Sequence, residues 1–298
     1  MSFDEAFRSV LVSSEAKLSL QANHLVLKQT NKEAKLFLKD IHFVILESPQ
    51  ILITSALLSA FAKHNIVLLT CDESHHINGI MHSYLGHFQH AKIAKEQMMV
   101  STHKKAIVWQ KIVKNKITNQ ARILKLHHKS KESDELLSFA KNVSLGDSRN
   151  LEAVAAAIYF KALFGKEFHR DEINFINSAL NYGYAILRAC IVRNVCISGL
   201  ITWLGIKHDN MYNSFNLCDD LIEVFRPWVD LCVLKLNTLD KEATLRPNDK
   251  RELINILQQA ALIDGQKHPL SRAIGRYIQS FRSALLGDQT LMVVSFET

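Results

Sequence analysis

Proline is almost missing from this chain. Only four occur in 298 residues, and none falls between Pro49 and Pro227. A segment that long without the residue that breaks helices is free to be helical throughout. The same scarcity excludes a collagen-like repeat or a proline-rich linker. The five cysteines (Cys71, Cys190, Cys196, Cys218 and Cys232) are odd in number and form no CxxC pair. They argue against a disulfide framework or zinc ribbon and for reduced thiols in the cytoplasm. No apolar run approaches the length of a membrane span, so no membrane partner is expected. The opening MSFDEAFRSV carries acids and no apolar core, so no secretory leader is expected either. The phosphate loop GxxxxGK(S/T) and the dinucleotide fingerprint GxGxxG are both absent.

What is present is a chain that is 48% hydrophobic and long enough for one large domain or two smaller ones. Its 36 basic and 29 acidic side chains leave a net charge of +7, which favours a polyanionic partner. Residues 8 to 54 alternate like strands (RSVLVSS, AKLSLQ, HLVLKQ, KLFLK, IHFVILE), separated by polar turn residues. SALLSAFAKHN has helical spacing, and IVLLTCD returns to a buried strand. The expectation is an α+β chain. Residues 1–75 form a β-rich, sandwich-like domain with one embedded helix. Residues 76–83 are a polar, histidine-rich linker, and 84–298 form a larger all-α-helical domain.

Positive charge concentrates early in the helical part. Lys92, Lys95, Lys104, Lys105, Lys111, Lys114, Lys116, Arg122, Lys125, Lys129 and Lys131 are opposed only by Glu96. Ile107, Val108, Ile112, Val113 and Ile117 supply a buried stripe, so the basic groups are expected to project outward. Such a face is either a solvated helix surface or the footprint of a phosphate-backbone reader. In the second case Lys104, Lys105, Lys111, Lys114 and Arg122 would contact DNA with little sequence preference. Trp109 is expected in a core or interface rather than as a stacking platform.

Two blocks carry acids and a histidine. In GDSRNLEAVAAAIYFKALFG, Asp147 or Ser148 can cap a helix with Glu152 in its first turns. In IKHDNMYNSFNLCDDLIEVFRPWVD, His208 precedes Asn210, Asn213 and Asn216, then Asp219, Asp220 and Glu223. The asparagines read as turn and cap residues, with Asn216 the expected N-cap. Spacings of three and four let the acids lean to one face. The pattern fits ordinary helix capping, and it equally fits a mixed nitrogen and oxygen site for Mg²⁺ or Mn²⁺.

Taken whole, LGIKH-x-N-x-Y-N-x-F-N-L-x-x-D-L-x-E-x-FRP-x-VD resembles the signature of the CRISPR adaptation integrase, the first CRISPR-associated (Cas) protein, in a type II-like form. LESPQILITSALLSAFAKHNIVLLTCDE, WQKIVKNKITNQARIL, GDSRNLEAVAAAIYFKALFG and LNYGYAILRA resemble further blocks of that family, in the same order. The resemblance implies metal ligands and catalytic residues at Glu152, His208 and Glu223, with Asp220 an auxiliary acid. It implies a β-sandwich joined to a helical catalytic and DNA-binding domain, with the β domain serving dimerisation. It further implies Mg²⁺ or Mn²⁺ as cofactor. The implied partners are prespacer duplex DNA and the CRISPR repeat. Homodimers would join the second Cas adaptation protein in a heterohexamer. The implied activity is metal-dependent DNA transesterification with associated endonuclease activity, in the cytoplasm. The third ligand is Glu where much of the family has Asp, and Ala153 to Ala157 are unusually alanine-rich. A general metal-dependent nuclease or phosphohydrolase, and a non-catalytic nucleic-acid-binding protein, are the competing classes.

Overall fold

The computed structural model describes residues 6, 8–73, 75–84, 86–236 and 244–296. It divides into two compact units, 1–90 and 91–298.

The first unit is built from two four-stranded sheets. Its strands are β1 (Arg8–Val12), β2 (Ala16–Gln21), β3 (His24–Gln29), β4 (Lys32–Phe37), β5 (Ile41–Leu46), β6 (Ile51–Ile53), β7 (Val67–Cys71) and β8 (Ile77–Met81). One sheet runs β1-β5-β7-β8 and the other β4-β3-β2-β6. Helix α1 (Ser55–Lys63) starts where the Thr54 hydroxyl accepts from the Leu57 amide at 3.4 Å. Its Leu57 and Phe61 join Leu18 and Leu25 of one sheet and Val44 and Leu68 of the other in one core. That shared core is what makes the unit sandwich-like. β5 lies between two parallel neighbours, and its near-continuous apolar sequence is buried along almost its whole length.

The segment expected as a linker, 76–83, is mostly strand. β8 pairs antiparallel with β7, with Gly79 opposite Thr70. Asn78-Gly79 resembles a turn in sequence, yet the glycine serves a close approach. A β-carbon there would come within 2.2 Å of the Thr70 hydroxyl.

The second unit is helical around two long helices, α3 (Thr102–Leu126) and α6 (Phe175–Ile197). Also present are α2 (His90–Met98), α4 (Ser130–Asn142), α5 (Leu151–Phe164), α7 (Asn216–Ile222), α8 (Arg226–Lys235), α9 (Pro247–Asn255) and α10 (Leu270–Leu286). Helix α3 packs on α4, α5, α8 and α10, and α6 on α7, α8, α9 and α10. The unit carries in addition a small antiparallel sheet of β9 (Ala260–Ile263), β10 (Gln266–Pro269) and β11 (Val294–Ser295). Asp264 and Gly265, both at positive φ, make the two-residue turn between β9 and β10.

Helix α3 is polar on part of its buried face, and two of the amides there bind the β11 strand. Asn115 donates to the Val294 carbonyl at 2.7 Å and accepts from its amide at 2.9 Å, so the side chain acts as a neighbouring strand for β11. Asn119 donates to the same carbonyl at 3.0 Å. No described helix is long and apolar enough to cross a membrane. None of the five cysteines forms a disulfide.

Candidate active site

Glu152 is positioned by the start of α5. Asp147, in a left-handed conformation after Gly146, turns its carboxylate to the helix. It accepts from the Leu151 amide at 2.9 Å and the Glu152 amide at 3.0 Å. Two orphan helix-start donors are thereby satisfied, with Asp147 as the capping acid. Glu152 is left to extend from the first turn toward α3, where it meets the ammonium of Lys116.

Glu223 follows the last residue of α7 and is buried. Its Oε1 pairs with the Arg226 guanidinium at 2.8 Å, one turn on, and its Oε2 meets the same Lys116 ammonium. Burial raises the cost of the carboxylate, but Arg226 and Lys116 outweigh it and hold the group down to about 2. Lys116 keeps only 5% of its surface exposed. Burial works against its charge, and the two glutamates more than restore it, so its pKa is raised. Two carboxylates from separate helices therefore converge on one cation, supplied by the chain itself.

His208 is held differently. Its Nδ1 donates to Asp220 Oδ1 at 2.7 Å, since an ionised carboxylate can only accept. Asp220 is fully buried and also accepts from the amides of Ile206 (2.7 Å), Lys207 (3.1 Å) and His208 (3.1 Å). One side chain thus ties down the loop and sets the imidazole tautomer, leaving Nε2 as the available nitrogen. The hydrogen bond that His208 donates to Asp220 raises the imidazole pKa against the opposing effect of partial burial. Gly205 makes the clamp possible, because a β-carbon there would meet the His208 carbonyl at 2.2 Å and Asp220 Oδ2 at 2.9 Å. Upstream, Gln97 of α2 braces the loop. Its side chain accepts from the Ile201 amide at 2.8 Å and donates to the Leu204 carbonyl at 3.1 Å.

Asn216 does not cap α7 as expected. It is the first residue of the helix, and its amide donates to the carbonyls of Trp203 (3.2 Å) and Asn210 (2.9 Å), stitching two loop segments together. Nor do the three acids share a partner. Asp219 turns to Arg188 at 2.5 Å and to Asn213 at 2.7 Å, away from the Lys116 cluster. Trp109 is buried, with its ring edge-on to His208 and centroids 6.1 Å apart.

The basic stripe is only partly on the surface. Lys116 is the exception that matters most, since it faces inward. Lys104 donates to the Gly287 carbonyl at 2.8 Å and Lys105 to the Gly205 carbonyl at 3.4 Å. Lys111 and Lys114 are half-buried, and one guanidinium nitrogen of Arg122 is buried without a hydrogen-bond partner. Sequence reasoning missed Lys116, Arg226 and Gln97. The signal for Lys116 was available, because it sits on the stripe 109, 112, 113, 116, 117, 120 that helical periodicity marks as buried.

The donor chemistry of Glu152, Glu223 and His208 suits a hard divalent cation. Among the described residues, however, no three His, Cys, Asp or Glu side chains gather closely enough to hold a metal. Lys116 stands where the two carboxylates meet.

Residues 10–249 match the family profile of the CRISPR associated protein Cas1. The chain belongs to the Cas1 family. It is 39% identical over 280 residues to the CRISPR-associated endonuclease Cas1 of Neisseria meningitidis serogroup C (strain 8013), covering 94% of this chain and 92% of that one. Its fold is similar to that of a casposase bound to integration product (TM-score 0.76, 19% identity, 94% and 91% of the two chains). It is also similar to a chain of a Cas6-RT-Cas1–Cas2 complex (TM-score 0.72, 20% identity, 96% of this chain and 35% of that one). All the site residues described above lie within the span of the Cas1 match.

Proposed function

We propose that this protein is a CRISPR adaptation integrase that joins the 3′ ends of a short DNA duplex to the ends of a CRISPR repeat. The observation that carries this reading is the convergence of Glu152 and Glu223 on one buried cation, in a chain of the Cas1 family. In each joining step a new phosphorus–oxygen bond forms to the attacking 3′ oxygen, and the bond to the leaving 3′ oxygen breaks. One phosphodiester replaces another, and the leaving oxygen takes up a proton. Glu152, Glu223 and His208 Nε2 would hold Mg²⁺ or Mn²⁺, which supplies a Lewis acid for the phosphate oxygens and favours a deprotonated nucleophile.

The chain's own residues prepare that chemistry. Arg226 holds one oxygen of Glu223 in place, Asp147 fixes the start of α5 under Glu152, and Asp220 keeps His208 in one tautomer. Lys111 and Lys114, on the basic stretch of α3, are suited to contact the DNA backbone. The likeness to a casposase bound to integration product supports DNA joining as the reaction. Water in place of the 3′-hydroxyl would give strand cleavage at the same site, in keeping with the endonuclease name of the Neisseria relative. The similar chain in a Cas1–Cas2 complex supports a second Cas adaptation protein as partner. The proposed assembly is a heterohexamer of two homodimers flanking that partner, in the cytoplasm, with the β-rich unit serving dimerisation.

The test is strand transfer of a labelled short duplex into a plasmid carrying leader and repeat, with Mn²⁺ and the Cas2 partner. Wild type should give joined product, and His208→Ala should lose it while still binding the duplex. Joining that survives in His208→Ala would remove His208 from the ligand set. Binding without joining in the wild type would favour a non-catalytic DNA-binding protein.

A further inference from the structure

Lys116 has no role in the chemistry set out above, yet it is the most buried cation of the site. A buried ammonium is costly unless it is paired, and Lys116 is paired twice, with Glu152 of α5 and Glu223 after α7. Arg226 takes only one oxygen of Glu223. Without Lys116, two carboxylates drawn from separate helices would face each other with one guanidinium between them in charge. We infer that Lys116 is an exchangeable place-holder: it keeps the two glutamates converged in the metal-free protein and must leave them when a divalent cation binds.

Both carboxylates direct an oxygen at the same ammonium, so the position that a cation bridging them would take is already filled. An ammonium and a divalent ion repel at such range, most strongly where water is scarce. They cannot share the position. The closed arrangement also accounts for the absence of a three-ligand metal cluster among the described residues, since Lys116 rather than His208 completes the glutamate pair. Lys116 is therefore a positioning residue that sets the apparent metal affinity. The inference rests on the metal reading of Glu152, His208 and Glu223 proposed above.

Two measurements test it, neither of them an activity. The first is the Mn²⁺ dissociation constant of the purified chain, from the free Mn²⁺ signal in electron paramagnetic resonance, for wild type and Lys116→Met. Removing the competing charge should tighten Mn²⁺ binding by about tenfold or more. It should also lower the melting temperature of the chelator-treated protein by about 5 °C or more, because the glutamates then repel unscreened. The second needs no variant and so stands if Lys116→Met does not fold. Amine acetylation of wild type, read by mass spectrometry, should spare Lys116 in chelator and modify it once Mn²⁺ is saturating. Equal or weaker Mn²⁺ binding in a folded Lys116→Met would overturn the place-holder, as would Lys116 labelling that Mn²⁺ leaves unchanged. Absence of Mn²⁺ binding in both proteins would instead overturn the metal reading, and the exchange with it.

Discussion

Asp220 and Glu223 stand three residues apart and are both buried, yet they are satisfied in opposite ways. Asp220 accepts three backbone amides and one imidazole, all from the segment Ile206–His208. Backbone donors cannot leave without unfolding the loop, so this carboxylate is a fixed clamp. Glu223 is satisfied by Lys116 and Arg226, side-chain cations on flexible stems. Such partners can be exchanged for another cation without breaking the fold. The difference separates an acid with fixed partners from one with exchangeable partners, and it does so where residue type and spacing do not.

The largest effect that would test this contrast is on the exchangeable side. Glu152→Gln and Glu223→Gln keep side-chain size but remove the charge that gathers cations. Each should reduce strand transfer by about 10³-fold or more, while duplex binding persists. A variant that retains joining within tenfold of wild type would mean that its carboxylate is not a ligand. The clamp should respond with the opposite balance. Asp220→Asn places an amide donor against three amides and a ring N–H. It should lower stability by about 3 kcal/mol and joining by about 10–100-fold. Equal losses of joining in Asp220→Asn and Glu223→Gln, at equal stability, would erase the distinction.

How far the sequence reaches follows the same line. The strands of the first unit were legible because alternation is local, and α5 with its acidic first turn was legible because caps lie within about a turn of what they cap, here four and five residues. Glu152, His208 and Glu223 are singled out as a ligand set only by family resemblance, since acids and a histidine at those spacings also fit plain capping. β8 is hidden in a polar, histidine-rich stretch that reads as a linker, because the use of Gly79 in a strand depends on Thr70 across the ladder. Asn216 departs from the expected N-cap because its partners, Trp203 and Asn210, come from a returning loop. Lys116 reads as surface when charge outranks position, although its place on the buried stripe argues the reverse.

Glu223 and His208 should also separate by pH in the metal-free protein. Glu223 has an ordinary value of 4.5 and is held near 2 in the fold. Its contribution to stability is complete above pH 4.5 and is lost as pH falls toward 2. His208, raised above its ordinary 6.5 by Asp220, behaves in the opposite sense. Its contribution is complete below pH 6.5 and is lost as pH rises through the raised value. Melting temperature against pH in chelator should therefore lose its acid limb in Glu223→Gln and its near-neutral limb in Asp220→Asn. Limbs that move together in both variants would mean that the two acids form one coupled site rather than a clamp beside an exchangeable pair.

The smallest expected effect extends the contrast to the basic helix. Lys104 and Lys105 are committed to backbone carbonyls, as Asp220 is to backbone amides, whereas Lys111 and Lys114 have no such tie in the contacts described above. A lysine that neutralises a phosphate releases a counterion, so its loss lowers the salt dependence of binding by about one unit of slope. Lys111→Ala and Lys114→Ala should each flatten the plot of duplex affinity against salt by about that amount. Lys104→Ala and Lys105→Ala should flatten it less and act more through stability, because each frees a carbonyl that the folded chain had satisfied. If all four flatten the slope equally, the carbonyl contacts yield to DNA, and fixed partners on α3 would be no more than resting positions.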